Sequence, residues 1–91
     1  INRYAHGVTF SVVVEVSLRP GISDPEGATI ERALPALGFQ GISHLQTGKI
    51  FRFNVEAASA DEAIATATSI ADRLLSNPVI EQSTVRIEVS A

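Results

Sequence analysis

Between Gly7 and Leu18 apolar residues fall at every second position. Val8, Phe10, Val12, Val14, Val16 and Leu18 form one set; Thr9, Ser11, Glu15 and Ser17 form the other, with Val13 its one apolar member. A period of two puts each set on its own face of a β-strand, so a strand buried on one side is predicted. The period changes after Asp24-Pro25, where an aspartate N-cap precedes a proline that fits the first helical position. Ile30, Leu34 and Leu37 follow at i, i+4 and i+7, a single apolar stripe along a helix. Gly38 ends it, because glycine enters the left-handed region freely. Pro35 lacks an amide and crowds the carbonyl of Glu31, which costs about 3 kcal/mol inside a regular helix. A kink or a 3₁₀ last turn is predicted there.

Ile42–Thr47 and Lys49–Glu56 read as two strands joined by a tight hairpin at Gly48. Phe51, Phe53 and Val55 share a face opposite Arg52, Asn54 and Glu56. Ser59 and Glu62 stand at capping-box spacing and open a second helix. Its buried side carries Ala63, Ala67, Ile70 and Leu74, widened by Ile64, Ala71 and Leu75. Asn77-Pro78 stops this helix, since a residue before proline leaves the helical region. A last strand turns Val85, Ile87 and Val89 inward and Arg86 and Glu88 outward. The order is strand, helix, strand, strand, helix, strand. It predicts an α+β, ferredoxin-like βαββαβ fold with a four-stranded antiparallel sheet and both helices on one face. No linker or repeat interrupts it, so one domain is expected over residues 8–91, preceded by a short extension, residues 1–7.

A 91-residue chain buries only about two thirds of its unfolded surface. A deep private cavity is therefore not expected. A thin core and unpaired sheet edges favour self-association instead, as a dimer or tetramer. Seven basic and ten acidic residues are scattered without blocks, and Lys49 is the only lysine. That distribution argues against nucleic acid and against a polybasic membrane patch. The absence of cysteine excludes disulfides, thiolate metal sites and cysteine nucleophiles. No apolar run approaches the ~20 residues of a membrane span, and Ile1–Gly7 does not read as a secretory signal. A cytoplasmic location is expected.

Chemistry-bearing patterns are scarce. His6 and His44 have no acidic residue at ligand spacing. No serine sits in a nucleophile elbow, and the six glycines form no phosphate cradle. No catalytic residue and no metal site are expected. The polar face of the sheet, with Thr9, Ser11, Glu15, Arg52, Asn54 and Glu56, lacks the aromatics that stack RNA bases, and the phenylalanines belong to the core. Three features remain: the loop Arg19–Gly27, Lys49, and Asn77-Pro78-Val79-Ile80-Glu81. Each has a plain structural reading, as a turn with an N-cap, a solvated lysine and a helix stop. Together they also describe a shaped surface that another protein reads.

The chain resembles the PurS family, the small subunit of the three-part formylglycinamidine ribonucleotide synthetase of purine biosynthesis. The match is carried by Gly21-Ile22-x-Asp24-Pro25-Glu26-Gly27, Ala33-Leu34-x-Ala36-Leu37-Gly38-Phe39, Gly48-Lys49, and Leu74-Leu75-x-Asn77-Pro78-Val79-Ile80-Glu81. It covers about residues 8–89. Pro35, where the family commonly has a polar or helix-favouring residue, and Gln82-Ser83, where it often has Asp-Tyr, depart from the pattern. The resemblance implies a non-catalytic adaptor that bridges a glutaminase subunit, PurQ, and a synthetase subunit, PurL. The assembly uses ATP and glutamine to convert formylglycinamide ribonucleotide to its amidine. It also implies no cofactor on this chain, with ATP and Mg used by the large subunit. Arg19, Asp24, Pro25, Glu26, Gly27, Lys49, Asn77, Pro78 and Glu81 become candidate partner-interface residues. The alternative is a small-molecule-sensing regulatory domain of the same fold, for which Gly21 and Gly27 after the first strand would be the relevant loop.

Overall fold

β1 (Val8–Leu18) is the alternating strand, and it forms the centre of the sheet in the computed structural model, which describes residues 7–88. β2 (Gly48–Ala57) pairs antiparallel along one edge, from Val8 opposite Ala57 to Ser17 opposite Gly48. β3 (Glu81–Ile87) pairs antiparallel along the other, from Val12 opposite Ile87 to Leu18 opposite Glu81. The expected extension, apart from Gly7, and Val89 lie outside the described residues.

α2 (Ala60–Ile70) crosses over between β2 and β3 and packs across all three strands. Ser59 caps it by accepting from the Glu62 amide at 3.1 Å, while the Glu62 carboxylate accepts from the Ala58 amide at 2.9 Å. The reciprocal bond is thus displaced one residue from the predicted box. Ala63, Ala67 and Ala71 are fully buried against Val12, Val14, Val16, Val55 and Ala57. Alanines on the helix and valines on the strand let the two layers approach closely, which is how a small chain builds a void-free core. The last turn, Ala71–Leu75, is π-helical, with the Ser76 amide reaching the Ala71 carbonyl at 2.9 Å. One extra residue in that turn rotates the end of the helix about its axis. Leu74, expected on the buried stripe, is 79% exposed, and Leu75 packs at the core instead.

On the opposite face Val13 is completely buried. Its neighbours across the ladder are Arg52 and Arg86, held by Glu88 and Glu15 respectively. Long arginine stems cover apolar surface while their charges stay in water, so an apolar residue is tolerated on the polar face.

Two expectations fail. The segment Ile42–Thr47 forms no strand, so the described residues contain a three-stranded sheet and no hairpin at Gly48. The amides of Leu45 and Thr47 are taken by the carboxylates of Glu31 and Asp24, and His44 at φ 58° breaks the extended run. The second failure is the layer. α1 (Pro25–Ala33) packs chiefly on the 3₁₀ turn Pro35–Leu37 that Pro35 imposes and has little contact with the sheet. Gly38 closes that turn at φ 95° as expected.

The molecule is consequently long and thin, 61 × 33 × 14 Å. Its Cα radius of gyration is 17.7 Å, against about 12 Å for a compact chain of this length. Stability rests on the contact between α2 and the sheet. Ala67→Leu, which forces three heavy atoms into that contact, is expected to destabilise the fold by about 1–3 kcal/mol. Urea denaturation of the purified chain measures it, and an unchanged midpoint would contradict this packing.

Candidate functional site

The ends of β1, β2 and β3 nearest α1 gather residues that are far apart in the chain. Leu18 ends β1, Gly48 begins β2 and Glu81 begins β3, so antiparallel pairing alone brings Arg19, Lys49 and Glu81 to one rim. The turn after α2 is organised around Asn77 and Glu81. The Asn77 side-chain oxygen accepts from the Val79 amide at 3.1 Å, and the Glu81 carboxylate accepts from the Asn77 amide at 2.7 Å. The other oxygen of Glu81 faces the Lys49 ammonium at 3.8 Å. Arg19 donates from its Nε to the Pro78 carbonyl at 2.9 Å, beside a backbone bond from its own amide to Ile80. Lys49 is therefore not the free lysine of a hairpin. It is the second residue of a strand and loosely paired.

The Arg19–Gly27 loop reaches the same rim through Asp24. One carboxylate oxygen accepts from the Gly27 amide at 2.9 Å and from the Thr47 hydroxyl at 2.9 Å; the other accepts from the Thr47 amide at 2.8 Å. The predicted N-cap is real, but it is one part of a clasp between the start of α1 and the start of β2. Gly27 explains itself here. A Cβ at this position would stand 2.7 Å from the Asp24 carboxylate and 2.8 Å from the Leu45 carbonyl, so the helix lies against the returning segment only because the side chain is absent. Pro25 fills the first position of α1. Glu26 joins Lys49 and Glu81 around a shallow depression of about 280 Å³, floored by Val16, Ser17, Leu18, Thr47 and Gly48.

All nine residues singled out in the sequence thus lie at or beside this rim. Thr47 and Glu31 were missed. Glu31 accepts from the Leu45 amide at 2.8 Å, and no spacing rule links an acidic helix residue to an amide fourteen positions on. Chemically the rim offers carboxylates, one ammonium, one guanidinium and exposed backbone. It has no nucleophile next to a base, and no cluster of metal-ligating side chains occurs among the described residues. The depression sits below the ~300–1,000 Å³ of ordinary ligand pockets. No helix among the described residues is long and apolar enough to cross a membrane.

The family model described as "PurS: Phosphoribosylformylglycinamidine (FGAM) synthase" matches residues 11–89. Among curated relatives, a phosphoribosylformylglycinamidine synthase subunit PurS of Mycobacterium leprae is 42% identical over 76 residues, 84% of this chain and 92% of that protein. Its counterpart from Archaeoglobus fulgidus is 38% identical over 72 residues, 79% and 90% of the respective chains. The crystal structure of the Thermotoga maritima synthase's PurS subunit superimposes with a TM-score of 0.86 at 32% identity, covering 96% of this chain and all of that one. A chain in the structure of Thermotoga maritima PurLQS matches with a TM-score of 0.82 at 32% identity, over 89% and 99%.

The clasp makes a pH prediction. Hydrogen bonds from the Thr47 amide, the Gly27 amide and the Thr47 hydroxyl hold the Asp24 carboxyl below its ordinary value of 3.8, against a smaller opposing effect of desolvation. A depressed folded-state pKa means that the unfolded chain binds more protons in the window below 3.8. The contribution is complete above that value and is lost as pH falls through the folded-state pKa. Asp24→Asn should lower Tm at neutral pH and flatten the fall of Tm between about pH 5 and pH 2. Melting curves across that range check it; parallel acid limbs for the two proteins would contradict the clasp. Asp24→Ser keeps a capping oxygen but is too short to hold Thr47 as well, so it should be less stable than the wild type despite its intact cap.

Proposed function

The chain belongs to the PurS family of phosphoribosylformylglycinamidine synthase subunits, and on that premise we propose that it is the non-catalytic adaptor of such a synthase, bridging a PurQ-like glutaminase and a PurL-like synthetase. The carrying observation is the rim at the strand ends. Three segments separated in sequence converge there into a charged, weakly paired surface with hydrogen-bonding backbone and no catalytic constellation. Such a surface suits docking. Its exposed ion pair contributes little to folding, so a partner that competes for Lys49 or Glu81 meets little resistance.

The chemistry gives an adaptor a purpose. Ammonia released from glutamine is mostly protonated in neutral water, and ammonium is no nucleophile. It has to pass from one active site to the other along a sequestered route, which an adaptor can seal without reacting. ATP and Mg belong in this reading to the large subunit, this chain carries no cofactor, and the assembly is cytoplasmic. Arg19, Asp24, Pro25, Glu26, Gly27, Lys49, Asn77, Pro78 and Glu81 form the docking rim of a homo-oligomer, dimer or tetramer.

Reconstitution tests the proposal. The chain alone should hydrolyse neither ATP nor glutamine. Added to PurL-like and PurQ-like subunits with ATP, Mg, formylglycinamide ribonucleotide and glutamine, it should be needed for glutamine-dependent amidine synthesis, and far less for synthesis from added ammonia, which bypasses the bridge. Lys49→Ala should change stability by no more than about 0.5 kcal/mol, as for surface substitutions generally. It should cut the glutamine-dependent rate several-fold and leave the ammonia-dependent rate intact. Equal glutamine-dependent rates for the variant and the wild type would remove Lys49 from the rim's function.

A further inference from the structure

β2 begins with no strand on its outer side. It lies at the edge of the sheet, the segment before it forms no strand, and its first residue is Gly48. Glycine keeps the widest backbone freedom of any residue, and strand ends with few partners open locally. The rim nevertheless depends on this end, because the next residue is Lys49, the only lysine of the chain.

Two contacts hold it. On the inner side Gly48 lies so close to β1 that a Cβ there would stand 2.7 Å from the Val16 carbonyl. On the side of the incoming chain Thr47 donates twice to Asp24, from its amide at 2.8 Å and from its hydroxyl at 2.9 Å. Two bonds to one carboxylate fix a backbone position and a side-chain rotamer together. Along an extended chain residues two apart face the same side, and Thr47 and Lys49 do both line the depression that also holds Glu26 and Glu81. Glu81 does not orient the ammonium. Its side chain is 16% exposed against 59% for Lys49, one of its oxygens is spent on the Asn77 amide, and the other stands 3.8 Å from the Lys49 Nζ. That separation is too long for a hydrogen bond. The anchored residue next to Lys49 is Thr47.

We propose that Thr47 is a positioning residue of the docking rim: its amide and hydroxyl, closed on Asp24, hold the start of β2 so that Lys49 is presented to a partner subunit in one direction instead of moving with a fraying strand end. The hydroxyl makes this choice of residue specific. The amide bond survives any substitution except proline, whereas the second bond needs a hydroxyl donor. Thr47→Val therefore removes one of the two bonds with little change in volume, and Thr47→Ser keeps both. The proposal rests on the docking reading of the rim and adds the group that sets its geometry.

Two measurements test it. In the first, increasing amounts of the chain are added to PurL-like and PurQ-like subunits with ATP, Mg, formylglycinamide ribonucleotide and glutamine, and the concentration giving half the maximal rate is read. Thr47→Val should raise that concentration about fivefold, the worth of one exposed ion pair. Thr47→Ser should return it to within about twofold of the wild type. Glu31→Ala serves as the comparison for stability alone. It breaks the other carboxylate–amide bond, to Leu45, and should lower Tm at least as far as Thr47→Val while moving the half-maximal concentration less than about twofold. In the second measurement the isolated full chain is labelled by reductive methylation, which marks Lys49 and the amino terminus only. The Lys49 methyl signal in the NMR spectrum should shift in Thr47→Val and return in Thr47→Ser. A Thr47→Val chain that matches the wild type in either measurement would overturn the proposal, and so would Glu31→Ala weakening docking as much as Thr47→Val. A glutamine-dependent rate that does not need the wild-type chain at all would instead remove the docking reading, and the proposal with it.

Discussion

Asp24 stands where the first helix, the returning segment and the second strand meet, and the direction taken by the whole amino-terminal half follows from its three hydrogen bonds. With one oxygen on Gly27 and Thr47 and the other on the Thr47 amide, the carboxylate fixes α1 to the start of β2. Glu31 repeats the device about two turns further along. Backbone amides satisfied by carboxylates are no longer available to a strand ladder, and every buried or partly buried amide has to be satisfied somewhere. The clasp therefore decides two things at once: no fourth strand forms, and α1 is carried past the end of the sheet instead of over it.

Local signals were legible in the sequence, and long-range competition for amides was not. The valine alternation of β1, the stop at Gly38, the 3₁₀ turn after Pro35 and the cap at Ser59 are each set by residues within one or two turns, and each appears where its chemistry requires. Ile42–Thr47 has the composition of a strand but loses its amides to side chains on a helix that precedes it. A period of 3.6 puts Leu74 on the buried stripe, and a single π turn moves it into water. At the rim, the residues could be picked out by elimination, yet their convergence depends on the register of the three strands. Thr47, with no motif around it, was invisible.

The rim differs in kind from the core beneath it. Valine and alanine interlock under α2 with nothing left unsatisfied among the described side chains. At the strand ends, by contrast, Glu81 divides its two oxygens between an amide and a distant ammonium, and Arg19 uses one of its five donors on a carbonyl. Capacity for further hydrogen bonds is left over on a rigid frame. A surface that must meet other proteins, and do no chemistry of its own, needs that combination of a positioned backbone and uncommitted side chains.

The central place of β1 has a consequence during synthesis. Both of its neighbours come later in the chain, and about 40 residues separate its end from the end of β2, or roughly 2–8 s at ordinary elongation rates. Throughout that interval the nascent chain displays Phe10-Ser-Val-Val-Val-Glu-Val16 with neither edge paired, a window of high β-propensity of the sort that self-associates. Its one charge is Glu15. In the finished fold that carboxylate meets Arg86 at the surface; during synthesis it is the single charge in this window, placed as gatekeeper residues are to oppose association of unpaired strands.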